Sequence, residues 1–190
     1  MDGAHQIVSS EAEELILVDE NDVETGFLSK AACHDGAGHL HRAFSIFLFN
    51  DAGELLLQQR APQKRLWPGY WSNTCCSHPR KGESMPVATQ RRLFDELHIE
   101  ASLQFIYKFA YQAEFGAAGS ENELCHVYLG KLNYDVTPNE NEIEAIRYLA
   151  PKELLDEMEA QPASFTPWFK MEWLALVDKH RDMLSRYSDI

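Results

Sequence analysis

The chain has 190 residues, with 17 Lys and Arg against 30 Asp and Glu, a formal net charge of −13 at pH 7. So acidic a chain is not built for nucleic acid or an anionic membrane surface, and an anionic ligand must be met by local cations or metal ions. Its longest apolar run, residues 43–49, falls far short of the roughly 20 residues that span a bilayer.

In chain order, residues 15–18 read as a strand and 20–22 as a turn. Residues 43–49 read as a buried strand, and the turn Asn50-Asp51-Ala52-Gly53 folds 54–59 back on it as a hairpin. Residues 60–80, rich in Pro, Trp, Gly and basic side chains, read as one long loop of the kind that carries function. Ser84 as N-cap and Pro86 in the first turn open a helix with its body over 87–97. Residues 103–115, 123–132 and 146–149 read as strands. Pro151 opens a helix over 151–159, and Thr166-Pro167 opens a last helix to about residue 187. Strands flanked by helices predict an α/β sheet covered on both faces. The length predicts one domain over 1–190, with a core over 15–185 and a flexible polar start over 1–13. That start has no signal-peptide h-region, which predicts a cytoplasmic protein. Cys33, Cys75, Cys76 and Cys125 then favour metal-binding, catalytic or buried roles over disulfides.

Cys76 and His78 lie at i and i+2, on one side of an extended backbone. They suit either two ligands of one ion or a thiol beside a metal site. Glu121 and Glu123 share that spacing, about 7 Å apart along a strand, and two such carboxylates repel unless a cation or shared proton separates them. His34, His39 and His41 stand close together among glycines. With His78, Glu121 and Glu123 they compose an imidazole and carboxylate set suited to Mn, Zn, Fe or Co; unrelated surface histidines are the plain alternative. Arg92 and Glu96 form an i,i+4 pair, with Asp95 adjoining. That face is either an ordinary salt-bridged one or a place for Mg²⁺ holding a diphosphate. Arg60, Lys64, Arg65 and Arg92 form a basic group able to hold phosphate. Trp67, Tyr70, Trp71, Tyr111 and Trp168 read as core aromatics, although Trp168 at a helix start can also wall a pocket.

Taken together, the chain resembles type I isopentenyl diphosphate isomerase, a branch of the Nudix superfamily, over roughly residues 15–185. The resemblance rests on an ordered series: Leu40-His-Arg-Ala-Phe44, Trp67-Pro-Gly-Tyr-Trp-Ser-Asn73, Cys76-Ser-His-Pro79, Gly82-Glu-Ser84, Arg91-Arg92, Glu121-Asn-Glu-Leu-Cys125 and Phe165-Thr-Pro-Trp168. It implies a Nudix-type mixed β-sheet sandwiched between helices. Within the Nudix box Glu83, Arg91 and Glu96 are kept, Arg92 and Asp95 replace glutamates, and Ser77 and His98 replace glycines. Losing a helix carboxylate to Arg92 argues against hydrolysis, and a left-handed conformation at His98 costs more than at glycine. Carried over residue by residue, the resemblance implies that His34, His41, His78, Glu121 and Glu123 hold one divalent metal, Mn²⁺ or Zn²⁺. Cys76 and Glu123 handle protons, with Tyr111 tuning Glu123. Glu96 and the main chain of Cys76 place Mg²⁺ on the diphosphate. Lys30, Arg60, Lys64 and Arg92 contact that diphosphate, and Trp168 faces the hydrocarbon. The implied activity is interconversion of isopentenyl and dimethylallyl diphosphate, with that small molecule as the partner. A Nudix diphosphohydrolase and a non-catalytic metal- or phosphate-binding Nudix module are the two alternatives.

Overall fold

A computed structural model describes residues 7–189; residues 1–6 of the expected flexible start lie outside the described residues. The sheet is organised around β3 (His41–Phe49). Its apolar run is continuous because both of its faces are buried. Ala43, Phe47 and Phe49 enter one core, while Phe44, Ile46 and Leu48 enter the other. Along one edge of β3 runs β8 (Ser120–Lys131), parallel and in unbroken register from His41 opposite Glu123 to Phe49 opposite Lys131. β7 (Leu103–Glu114) pairs antiparallel with β8. The other edge of β3 is shared by β1 (Glu14–Val18), β6 (Cys75–Ser77) and β4 (Leu55–Arg60). β2 (Glu24–Ser29) pairs with β1, and β5 (Trp71–Ser72) and β9 (Ile143–Leu149) pair with β4. Among the described residues the result is one mixed nine-stranded sheet.

Helices cover both faces, as expected. α2 (Met85–Leu97) buries Ala88, Leu93 and Leu97 against one. α3 (Pro151–Ala160), α4 (Pro167–Lys179) and α5 (Arg181–Leu184) bury Leu154, Phe169, Trp173, Leu176 and Leu184 against the other. Each of those large apolar side chains contributes about 1.5–3 kcal/mol on burial. A short α1 (Lys30–Cys33) follows β2, with Ser29 as its N-cap accepting the Ala32 N–H.

The structure departs from the sequence reading in five respects. The expected hairpin of 43–49 with 54–59 is only a corner, paired at Phe49 and Leu55. Beyond it Thr74 separates the strands: its hydroxyl accepts the Leu48 N–H at 2.9 Å and donates to the Leu56 carbonyl at 2.6 Å. The freed edge of β3 takes β6, so the long loop over 60–80 is partly strand. β2 and α1 are elements the apolar pattern did not announce. Ser84 holds the N-cap position of α2 but makes no capping bond, and the last helix breaks at His180. At the far end of α2, His98 does adopt the left-handed conformation, with φ of 56°. Its Nδ1 meets the Thr137 carbonyl at 2.8 Å, which offsets part of the strain.

α4 carries one acid into the core. Glu172 is fully buried. Its Oε1 accepts the Cys125 thiol at 3.3 Å, and its Oε2 has no hydrogen-bond partner among the described residues. Burial pushes the carboxyl up to about 8, against the pull of Ser45 and Cys125. The folded chain therefore keeps a proton that the unfolded chain releases above its ordinary value of 4.5. Stability from this group is full below that value, declines as pH rises and is lost past about 8. Glu172→Gln stays neutral throughout, so it should raise the melting temperature more at about pH 8 than at about pH 5. An equal shift at both pH values would contradict this account.

Candidate active site

Four chain segments converge on one buried point. α1 ends at His34, β3 begins at His41, His78 follows β6, and Glu121 and Glu123 point the same way near the start of β8. The ligand-type atoms of these five residues all lie within 4.8 Å of one another. The approach is tight at Gly119, where φ is 132° and any Cβ would collide with the His34 carbonyl. That carbonyl accepts the Ser120 N–H at 3.0 Å, which ties α1 to β8.

The hydrogen bonds fix which ring nitrogens face inward. His34 Nδ1 lies 2.7 Å from the Lys30 carbonyl, and His41 Nδ1 lies 2.7 Å from the His39 carbonyl. A carbonyl only accepts, so each Nδ1 carries the proton and the neutral ring leaves its Nε2 lone pair free. His41 Nε2 is buried with no hydrogen-bond partner among the described residues. His34 Nε2 lies 2.9 Å from Glu121 Oε2, yet off hydrogen-bond alignment. His78 Nε2 lies 2.8 Å from Glu123 Oε1. Burial lowers His41 to about 4 and His78 well below its usual range, which keeps both neutral and able to ligate. Burial also opposes charge on His34, but the Glu121 carboxylate outweighs it and raises that ring. A divalent cation fits this set: inward lone pairs, two carboxylates, and the outer nitrogens of His34 and His41 already anchored on carbonyls.

The two carboxylates differ. Burial works against charge on both, but His34 and then His41 hold Glu121 down to about 2. Glu123 is driven well above its usual range by burial and by Glu121 beside it. Tyr111, opposite Glu123 across the β7–β8 ladder, donates to Glu123 Oε2 at 2.6 Å. Cys75 and Cys76 alternate across β6, so Cys75 enters the α2 core while Cys76 lines the pocket. Burial raises the Cys76 thiol to about 12, and Arg60, with Nη1 3.9 Å from Sγ, pulls the other way.

The pocket has a volume of about 560 Å³, and its walls include Cys76, His78, Tyr111, Glu123 and Trp168. Trp168 is buried, donates its indole N–H to Ser72 at 3.1 Å and packs edge-on against Trp67. Lys30, Arg60, Lys64 and Arg92 also line the pocket. Arg92 and Glu96 pair through a short contact at the base of α2. Glu83 and Arg91, by contrast, form a bidentate pair that ties α2 to the Arg80 backbone, away from the pocket. Arg65 bridges Ala118, Ala31 and Asp35. His39 contributes its carbonyl rather than its ring. Two acids outside the expected site also line the pocket, Glu11 and Glu142. Neither has a periodic or motif signal; only folding brings them to the basic group.

The NUDIX domain family model matches residues 39–169. An isopentenyl-diphosphate Delta-isomerase of Photorhabdus laumondii is 41% identical and aligns over 90% of this chain and 99% of its own. One of Burkholderia multivorans is 43% identical over 83% of this chain and 89% of its own. The chain belongs to the isopentenyl-diphosphate Delta-isomerase family. Another relative of that name, from Schizosaccharomyces pombe, is 39% identical over 82% of this chain and 78% of its own. A solved Deinococcus radiodurans structure superposes with a TM-score of 0.64 at 25% identity, over 78% of this chain and 90% of that one. A MutT protein of Methanosarcina mazei superposes at 0.61 with 16% identity, over 75% and 95%, which is a likeness of fold. This isomerase-family chain thus keeps the Nudix sheet and helices, and its fold can hold a divalent metal at the His and Glu cluster.

Loss of a ligand should show in metal content. Changing an outer-shell partner alone costs about 10–100-fold in metal affinity, so His41→Ala and Glu121→Gln should each cost at least that. Equilibrium dialysis with elemental analysis measures it. Unchanged affinity in both variants would remove these residues from the metal shell.

Proposed function

We propose that this chain interconverts isopentenyl and dimethylallyl diphosphate, moving protons with Cys76 and Glu123. The observation that carries the reading is their convergence on one pocket that also presents Lys30, Arg60, Lys64 and Arg92. An unactivated alkene is a weak base, so its protonation needs a strong acid in a site that excludes water. Glu123 suits that role, since burial and Glu121 favour its protonated form. Tyr111 holds the carboxyl oriented through its hydroxyl. Cys76 takes the second proton, and the roles exchange in the reverse direction. Taking that proton requires the thiolate, which burial disfavours and the Arg60 charge favours.

The tertiary cation formed between these steps has Trp168 beside it. An indole face offsets about 2 kcal/mol of a desolvated cation's energy. The four basic residues bind the diphosphate and orient the alkene toward Cys76 and Glu123. His34, His41, His78, Glu121 and Glu123 are the residues for one divalent ion, Mn²⁺ or Zn²⁺. Glu96 and the Cys76 main chain are those for Mg²⁺ with the diphosphate. Such ions, when bound, supply positive charge that steadies neighbouring carboxylates and phosphate oxygens. The hydrolase alternative needs helix carboxylates free to gather metal, and here Arg92 occupies one such position and pairs with Glu96. A cytoplasmic location fits a chain in which no helix among the described residues is long and apolar enough to cross a membrane.

Incubation with isopentenyl diphosphate, Mg²⁺ and Mn²⁺ in D₂O should give deuterium-labelled dimethylallyl product. Positioned acid–base groups contribute about 10²–10⁴-fold, so Cys76→Ala and Glu123→Gln should lose at least that much turnover. Tyr111→Phe, which removes one hydrogen bond to a carboxyl, should lose about tenfold. Phosphate release without allylic product would overturn the isomerase reading.

A further inference from the structure

The cations at the pocket mouth are already partnered. Lys30 Nζ lies 3.3 Å from Glu11 and donates to Ser9 Oγ at 2.6 Å. Lys64 contacts Glu142 through a short ion pair. Arg92 pairs with Glu96 and lies 3.4 Å from Glu142. Among the described residues Arg60 has carbonyl partners instead, those of Leu66 and Trp67. Glu11 has a side chain 52% exposed and is free to swing aside. Glu142 is not: its side chain is only 5% exposed. Its backbone is held at both ends, by its N–H on the Asn139 carbonyl at 2.9 Å and by its carbonyl on the Ala61 N–H at 3.0 Å. Burial opposes its charge, but Lys64 and Arg92 outweigh that and keep it ionised.

A fixed carboxylate between two phosphate-binding cations reduces their pull on any anion. A free diphosphate group carries more negative charge than its Mg²⁺ complex, in which the bound cation offsets part of that charge. The geometry points to Glu142 as a specificity-determining residue that makes the pocket select the magnesium complex of a diphosphate over the free anion. This rests on the diphosphate reading given above. Glu142 repels the excess charge of the free anion more than the smaller charge of its magnesium complex. The selection is built into the resting protein and does not depend on the chemistry that follows.

Calorimetric titration with inorganic pyrophosphate, with and without Mg²⁺, tests this without turnover. The wild type should prefer the magnesium complex. Glu142→Gln keeps the shape and removes the charge, so it should tighten metal-free pyrophosphate about tenfold and narrow the preference for magnesium. If Glu142→Gln does not fold, as judged by its thermal transition, Glu142→Ser is read in the same way. Metal-free pyrophosphate binding that is unchanged or weakened would overturn the proposal and leave Glu142 as an anchor for Lys64 and Arg92. The reading beneath it fails differently: wild type would then bind neither form and make no dimethylallyl product, which overturns both.

Discussion

The parallel pairing of β3 with β8 is the constraint on which the site depends. It sets His41 directly opposite Glu123. Side chains alternate along both strands, so a slip of one residue would send Glu121 and Glu123 to the opposite face and dissolve the cluster. What holds the register is apolar. Both faces of β3 feed closed cores, and Phe47 and Phe49 pack in the same cluster as Val127 and Leu129 of β8. The hydrophobic effect thus fixes the coordinates of polar groups that could not hold themselves together.

Once those positions are fixed, the chemistry follows from neighbours competing for charge. Glu121 and Glu123 share one space, and the imidazole beside Glu121 decides which of them ionises first. The same sheet splits the adjacent cysteines between opposite faces, one packed and one in the pocket. The anionic character of the chain reappears at the pocket mouth, where carboxylates accompany the very cations that a phosphate needs.

Much of this was legible in the sequence, because spacing maps directly onto geometry in strands and helices. The i,i+2 pairs Cys76/His78 and Glu121/Glu123 needed only an extended backbone to face one way. The capping signals at Pro86, Pro151 and Thr166-Pro167 located helix starts to within a residue or two. The remaining features rest on distant contacts or on a weak local pattern. The corner at Asn50 looks local, but Thr74, distant in sequence, decides that the strands part there. β2 is short and only half-buried, so it carries no apolar alternation to read. Glu142 becomes meaningful only when the fold lays it between Lys64 and Arg92.

The wide sequence separation of the metal-shell residues has a kinetic consequence. His34, His41, His78, Glu121 and Glu123 meet only after a parallel crossover has closed, and such non-local closure is slow because its entropy is spent before any contact rewards it. An ion held by all five residues would therefore have nothing to grip until late in folding. It would act as a final staple on a nearly finished chain rather than as a nucleus. Metal supply should accordingly govern how long the folded enzyme survives more than how fast it forms.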